Sequence, residues 1–235
     1  MAEPDGLRRH PVQDRSSQRI DLILDTAAEL IDETGYGALT PTLIARRAGM
    51  TGPAIYRYFA DTDAVVRALA TRNLQRFLSS AAEKVSLEPE WQDALVGFID
   101  VYTGMMRNEP GFRWLGLGDG VDRHLLSETE RNTRVVGRAA AEFMSTGYDT
   151  WDRPDFAKHV DIIVEIIVAL VDRAFDGDDD GDPFYIDEAK RLAVGYLDEF
   201  LRTVPADPHV LPRDFFGPDA VNASGAAGSA RDTMA

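Results

Sequence analysis

Apolar side chains recur every three or four residues along most of the chain, and these recurrences define its elements. Ile20, Ile23, Leu24, Ala27 and Ile31 share one face of a helix over Ser17 to Thr34, with Ser16 or Ser17 to cap it and Gly35 to end it. A second helix begins with Thr40 as N-cap and Pro41 at the first helical position, where a missing N–H costs nothing, and it stops at Gly49. A third starts at Thr51. A fourth opens at Asp61, whose carboxylate caps free N–H groups at the positive helix end, and runs to about Val85. Further helices are predicted at Glu90 to Asn108, Ser127 to Thr146, Pro154 to Phe175 and Phe184 to Thr203, with an irregular piece through Gly111 to Leu126. No run alternates apolar and polar residues as a strand does, so the fold class is all-α. Residues 1 to 15 lack any apolar period and read as a flexible arm, and the Pro-, Gly-, Ala- and Ser-rich stretch 205 to 235 as a largely disordered tail.

The second and third helices have the marks of a helix-turn-helix. Two short helices that cross steeply need a small residue where they approach and a residue tolerant of positive φ at the turn; Ala45 and Gly49 have that spacing. Ile44, Ala48, Met50, Ile55 and Tyr58 are placed to face inward. At about 100° per residue from a buried Ile55, the residues Pro53, Tyr56, Arg57 and Ala60 point away from the core, with Ala54 on the flank and Thr51 and Gly52 at the N-terminal end. That is the edge a recognition helix offers to a major groove. Arg57 suits guanine or phosphate, Tyr56 and Thr51 suit phosphate, Ala54 suits a thymine methyl, and the free N–H groups at the helix start suit a phosphate. For Tyr58 and Phe59, core packing is the reading the pattern favours.

Charge sharpens this picture. The formal charge is -15, the wrong sign for a protein that coats nucleic acid, so any DNA contact must come from a local patch. Between Thr40 and Ala60 there is no Asp or Glu, while Arg46, Arg47 and Arg57 are present. The 235 residues, 44% of them hydrophobic, suffice for a sizeable core, and the lack of cysteine excludes disulfides and thiolate chemistry. The longest apolar stretches, such as Ile162 to Val171, are interrupted by Glu165 and too short to span a bilayer, so a soluble, cytoplasmic protein without a membrane partner is expected.

The later helices suggest two further roles. The helix from Pro154 to Phe175 is apolar around most of its circumference and must be buried on more than one side, by a second copy of the chain or by a central place in a monomeric core. Ile163, Ile166, Ile167 and Leu170 on that helix, with Leu197 and Phe200 on the next, are the candidate dimer-interface residues. Phe98, Tyr102, Met105, Met106, Trp114, Phe143, Met144 and Trp151 belong to an aromatic and thioether inventory that lines apolar pockets and equally fills cores. His159, with His124, is the polar group most suited to touch a ligand there. Asp176, Asp178, Asp180, Gly181 and Asp187 approach a calcium-loop pattern, but Asp187 is too short to replace its bidentate Glu, so an acidic solvated turn is expected and neither metal nor cofactor. No Ser-His-Asp spacing, HExxH or phosphate loop supports an enzyme.

The run Gly35-Tyr36-Gly37-Ala38-Leu39-Thr40, then Ile44-Ala45-Arg46-Arg47-Ala48-Gly49-Met50-Thr51, then Ile55-Tyr56-Arg57-Tyr58-Phe59 resembles the N-terminal domain of the tetracycline-repressor (TetR) family of bacterial regulators, over residues 17 to about 70. The resemblance implies a three-helix DNA-binding domain, here 16 to 62, followed by a helical effector-binding and dimerisation domain, here 63 to 204. It implies a homodimer, a double-stranded DNA operator and a small-molecule effector as partners. By position it assigns Thr40 and Thr42 to the neighbourhood of the DNA backbone, Gly52, Pro53 and Ala54 to base edges, and Tyr56 and Tyr58 to phosphates; Arg46, from the acid-free stretch, is a further candidate for DNA contact. Thr62 stands where the family commonly has a lysine, which should weaken the grip on DNA and make it less sensitive to salt. The expected function is a repressor released by a small, mainly apolar effector; the alternative is a helical ligand-binding or adaptor protein with weakened DNA binding.

Overall fold

The computed structural model describes residues 11–116, 132–148 and 153–204, with side chains described from residue 16 onward. Among them there is no strand, and α-helices α1 (Pro11–Thr34), α2 (Pro41–Arg47), α3 (Gly52–Ile55), α4 (Thr62–Val85), α5 (Trp91–Asn108), α6 (Phe112–Leu115), α7 (Asn132–Gly147), α8 (Phe156–Ala174) and α9 (Pro183–Thr203) follow in order. The expected boundaries hold to a residue or two where a cap sets them. The Thr40 hydroxyl accepts from the Leu43 N–H at 3.1 Å, and the Asp61 carboxylate accepts from the Ala64 N–H at 2.7 Å. Three readings differ: α1 reaches back to Pro11, so the end of the expected arm is helical, α3 closes after one turn, and the short helix α6 lies in the stretch expected to be irregular; the expected helix start at Ser127 lies outside the described residues.

The described helices enclose two hydrophobic cores. The head core gathers Ile23, Leu24, Ala27 and Ile31 from α1, Ile44 and Ala45 from α2, Ile55 from α3 and Val65, Val66 and Leu69 from the start of α4. The body core gathers Phe77, Ala81 and Val85 from the far half of the same helix with the apolar faces of α5, α7, α8 and α9. The head therefore extends past the expected boundary at residue 62 to Leu69. Within the body, Phe77, Phe98, Tyr102 and Phe112 meet edge to face at centroid separations of 5.1, 5.8 and 5.9 Å, an arrangement aromatic quadrupoles favour. α8 packs along α9.

The short α6 joins the two cores a second time. Phe112 is fully buried in the body core, while Leu115, three residues on, is buried in the head core. Gly111 admits this bridge, because its φ is +72° and a Cβ there would lie 3.0 Å from the Ala28 Cα on α1. Replacing Gly111 with Ala therefore meets both a left-handed backbone and a clash with backbone rather than with a flexible side chain. The expected loss of stability is about 1 to 3 kcal/mol, read from urea unfolding of the purified protein; a variant as stable as the parent would contradict the bridging role of this residue.

Candidate nucleic-acid interface and ligand cavity

The turn between α2 and α3 is fixed by backbone hydrogen bonds. Ala48 ends α2, Gly49 follows at φ +64°, and the Met50 N–H donates to the Ala45 carbonyl at 2.8 Å, the long-range bond that ends a helix through a left-handed residue. α3 then starts at Gly52 with Pro53 in its first turn, and the Tyr58 and Phe59 N–H groups both donate to the Ile55 carbonyl, at 2.8 and 3.0 Å. Sharing one acceptor tightens the chain into a turn instead of prolonging the helix.

The exposed edge of this unit carries Thr40, Thr42, Arg46, Thr51, Pro53, Tyr56 and Arg57, with Gly52, Tyr58 and Thr62 half-buried. Tyr56 is 57% exposed, far more than a packing tyrosine would be. Ala54 departs from expectation: it is 5% exposed, so its methyl packs inward and does not meet a base edge. The Thr51 hydroxyl caps nothing, which leaves it available to an outside partner. Tyr58 lies against the head core, as the packing pattern suggested.

The three arginines of the acid-free stretch have separate fates. Arg47 donates to both oxygens of Glu33 on α1, at 2.8 and 2.6 Å, and these hydrogen bonds hold the Glu33 carboxyl below the usual carboxylate range. Its charge is spent on holding α2 to α1. Arg46 and Arg57 are exposed and have no hydrogen-bonding or ionic partner among the described residues. Two further contacts brace the head: the Tyr36 hydroxyl donates to the Asp63 carboxylate at 3.1 Å, and Arg72 of α4 pairs with Asp25 of α1 at 2.8 Å.

An apolar cavity of about 370 Å³ opens between α4, α5, α7 and α8. Of the expected ligand residues it takes Phe98, Phe143 and Met144. The others lie elsewhere. Tyr102 is fully buried in the body core, where its hydroxyl donates to Asp172 at 2.7 Å. Met105 and Met106 are buried on α5 and outside the cavity lining, and Trp114, 48% exposed on α6, lies beside Gly35 of the head. His159 shares a hydrogen bond of 2.7 Å with the Tyr196 hydroxyl and stacks on Phe200 at 3.9 Å, joining α8 to α9. Trp151 and His124 lie outside the described residues, as do the arm before Pro11 and the tail from residue 205. The lining residues missed by the sequence reading are mainly alanines and valines, which carry no chemical signature.

The expected dimer face also needs correction. Ile163, Ile167, Leu197 and Phe200 are 1%, 0%, 0% and 5% exposed within a single chain, so they belong to its own core and have no surface left to offer. Ile166 and Leu170 are half-buried, and they share a stripe with Ile162, which is 44% exposed. Leu192 on α9 is also exposed, at 38%.

The acidic turn between α8 and α9 serves arginines. Arg107 donates to the Asp180 carbonyl through two nitrogens, at 3.0 and 2.6 Å, and Arg113 donates to the Asp179 carboxylate and, at 2.8 Å, to its carbonyl. Both guanidinium groups lie over the Phe175 ring, at 5.9 and 5.5 Å. These contacts fasten α5 and α6 to the α8–α9 turn, while of the carboxylates in the calcium-loop pattern Asp176 accepts from Arg173 at 2.5 Å and Asp178 from the Asp180 N–H at 2.9 Å. Among the described residues no group of three acidic or histidine side chains is placed to hold a metal ion, and no helix is long and apolar enough to cross a membrane.

Comparison with known proteins agrees with this geometry. Residues 23–69 match the profile of the bacterial regulatory proteins of the tetR family, and residues 89–201 match the tetracyclin repressor-like C-terminal domain. A TetR-family transcriptional regulator from Streptomyces coelicolor superposes with a TM-score of 0.63 at 31% identity, over 77% of this chain and 98% of the other. An HTH-type transcriptional repressor of Mycobacterium tuberculosis is 26% identical over 70% of this chain and 82% of its own length. The HTH-type transcriptional repressor AcnR of Corynebacterium diphtheriae is 28% identical over 51% of this chain and 67% of its own. The chain belongs to the TetR family and is a DNA-binding transcriptional regulator, not an enzyme.

Proposed function

We propose that this regulator is a cytoplasmic, homodimeric repressor that binds an inverted-repeat operator and is released from it by a small, mainly apolar effector. The observation that carries this reading is the course of α4: the helix starts in the head behind the exposed edge of α3, and its far half walls the apolar cavity with Leu78, Ala81, Ala82 and Val85. A ligand in the cavity thus touches the element that carries the reading head. An effector acts by binding one arrangement of the two parts better than the other, which shifts the population away from the DNA-competent one.

In the DNA contact, Arg46 and Arg57 supply the unspent positive charge, Thr40, Thr42, Tyr56 and Tyr58 hydrogen-bond phosphates, and Thr51, Gly52 and Pro53 approach base edges. A homodimer sets two such edges about 34 to 36 Å apart, in successive major grooves. The accessible stripe of Ile162, Ile166 and Leu170 on α8, with the exposed Leu192 on α9, is the surface through which two copies meet. The second reading, a ligand-binding protein with weakened DNA contact, draws on Thr62, which stands between Asp61 and Asp63 at the edge of the head.

Three measurements test this reading. The double substitution Tyr56→Ala with Arg57→Ala is expected to abolish specific binding in a gel shift against the regulator's own upstream region, while melting temperature and oligomeric state stay at parental values; undiminished operator affinity overturns the assignment of the reading edge. Thr62→Lys restores a cation at the start of α4, so affinity should rise and the plot of log affinity against log salt should steepen by about one phosphate contact. If its slope matches the parent's, residue 62 does not face the DNA. Ile162→Glu puts a charge in the exposed stripe, and sedimentation equilibrium should then report a monomer where the parent is a dimer; a dimer in both places the interface on another face.

A further inference from the structure

We propose that the cavity between α4, α5, α7 and α8 admits uncharged apolar molecules and excludes anionic ones, and that a set of alanines makes the room for them. This names the effector class within the repressor reading above and rests on it. Ala81 and Ala82 on α4, Ala94 on α5, and Ala139 and Ala140 on α7 all line the cavity. Each presents a methyl group where the neighbouring core presents rings: Phe77, Phe98 and Tyr102 fill the adjoining space edge to face at 5.1 and 5.8 Å. The body is therefore tightly packed beside a space of about 370 Å³, within the range of small-molecule sites. A space walled mainly by methyl groups, Phe143 and Met144 offers few partners to water, so an apolar guest gains by replacing it.

The charge rule follows from the same wall. Among the described residues no Lys, Arg, His, Asp or Glu lines the cavity, and Ser79 supplies the one polar side chain. An ionised carboxylate or phosphate drawn inside would give up its hydration without meeting a cation, a cost that attraction elsewhere does not offset. Ser79 is exposed on α4 and so marks the open side; one turn before it Arg76 is paired with Glu109 at 3.4 Å, and one turn after it the exposed Glu83 adds negative charge. A guest thus lies with its apolar body against the alanines and with a neutral polar end, a hydroxyl or a carbonyl, at the Ser79 hydroxyl.

The test uses the full chain without DNA and the neutral fluorophore Nile red. Saturable enhancement of its fluorescence is expected, and decanol should displace it at least about tenfold more effectively than decanoate at alkaline pH, the two sharing a chain length and differing in charge. Ala140→Phe fills the space and should weaken Nile red binding at least about tenfold while the melting temperature stays level or rises, as filling an apolar void predicts. Should the larger ring disturb the α7–α8 packing and lower the melting temperature, Ala82→Leu, on a different helix, gives the same reading with less added volume. Equal displacement by decanoate overturns the charge rule, and undiminished Nile red binding in folded filled variants overturns the site, as does the absence of saturable binding. Because no DNA is present, such a failure alongside intact operator binding leaves the repressor reading in place; lost operator binding with intact Nile red binding does the reverse.

Discussion

The structure depends on the unbroken course of α4. Between Thr62 and Val85 there is neither glycine nor proline, so nothing in the sequence invites a kink. Its buried positions Leu69, Asn73, Phe77, Ala81 and Val85 follow one another at intervals of four residues. Each such step overshoots a full turn by about 40°, so the buried stripe winds through about 160° from Leu69 to Val85. The head core and the body core consequently lie on nearly opposite sides of one helix, and any rotation or tilt of its cavity end is carried to the other end. With Phe112 and Leu115 of α6 making a second, shorter link, head and body are joined at two places, and a displacement of one must be accommodated by the other.

Electrostatics set how such a head reaches DNA. A formal charge of -15 repels a polyanion at long range, yet charges further away than about 8 Å are largely screened at physiological ionic strength. Contact is then decided within the footprint of the head, where Arg46 and Arg57 have no acid partner among the described residues while Arg47 is neutralised by Glu33. An acid-free stretch in the sequence overstates its own positive charge, because it says nothing of acids that folding brings from another helix. The same remark applies at the α8–α9 turn, whose aspartates look available until Arg107 and Arg113, some seventy residues earlier in the chain, are seen to engage them.

This contrast explains which parts of the fold were legible in the sequence. Helix starts at Thr40 and Asp61 and the turn at Gly49 were readable because capping is local: the side chain and the N–H it accepts from are three residues apart. The extent of α3 was not, since the doubled hydrogen bond at the Ile55 carbonyl depends on how Tyr58 and Phe59 dock on the head core. In α8, apolar residues surround most of the helix, so periodicity showed that two sides are covered without showing which side the chain covers itself. Ile163 and Ile167 turned out to face inward, and Ile162 and Ile166 remain at the surface. Exposure of Tyr56 was readable for a simpler reason, that a single step of about 100° from Ile55 takes it off the buried face whether or not the helix continues.

The cavity was the least legible feature, and the reason is chemical. A sequence displays the side chains that occupy space, and the largest of them are the ones that suggest a pocket, yet Tyr102, Met105 and Met106 are core. Space arises where side chains are small, and the small residue best suited to a helix is alanine, whose high helical propensity makes it common on any helix surface. Ala81-Ala82 and Ala139-Ala140 therefore do two things at once: they keep α4 and α7 rigidly helical, and they leave room between them. A wall made of glycine would leave more room but lose stiffness, and one made of leucine would keep stiffness but close the space. For a regulator whose cavity wall is the same helix that carries its reading head, alanine is the residue that satisfies both demands.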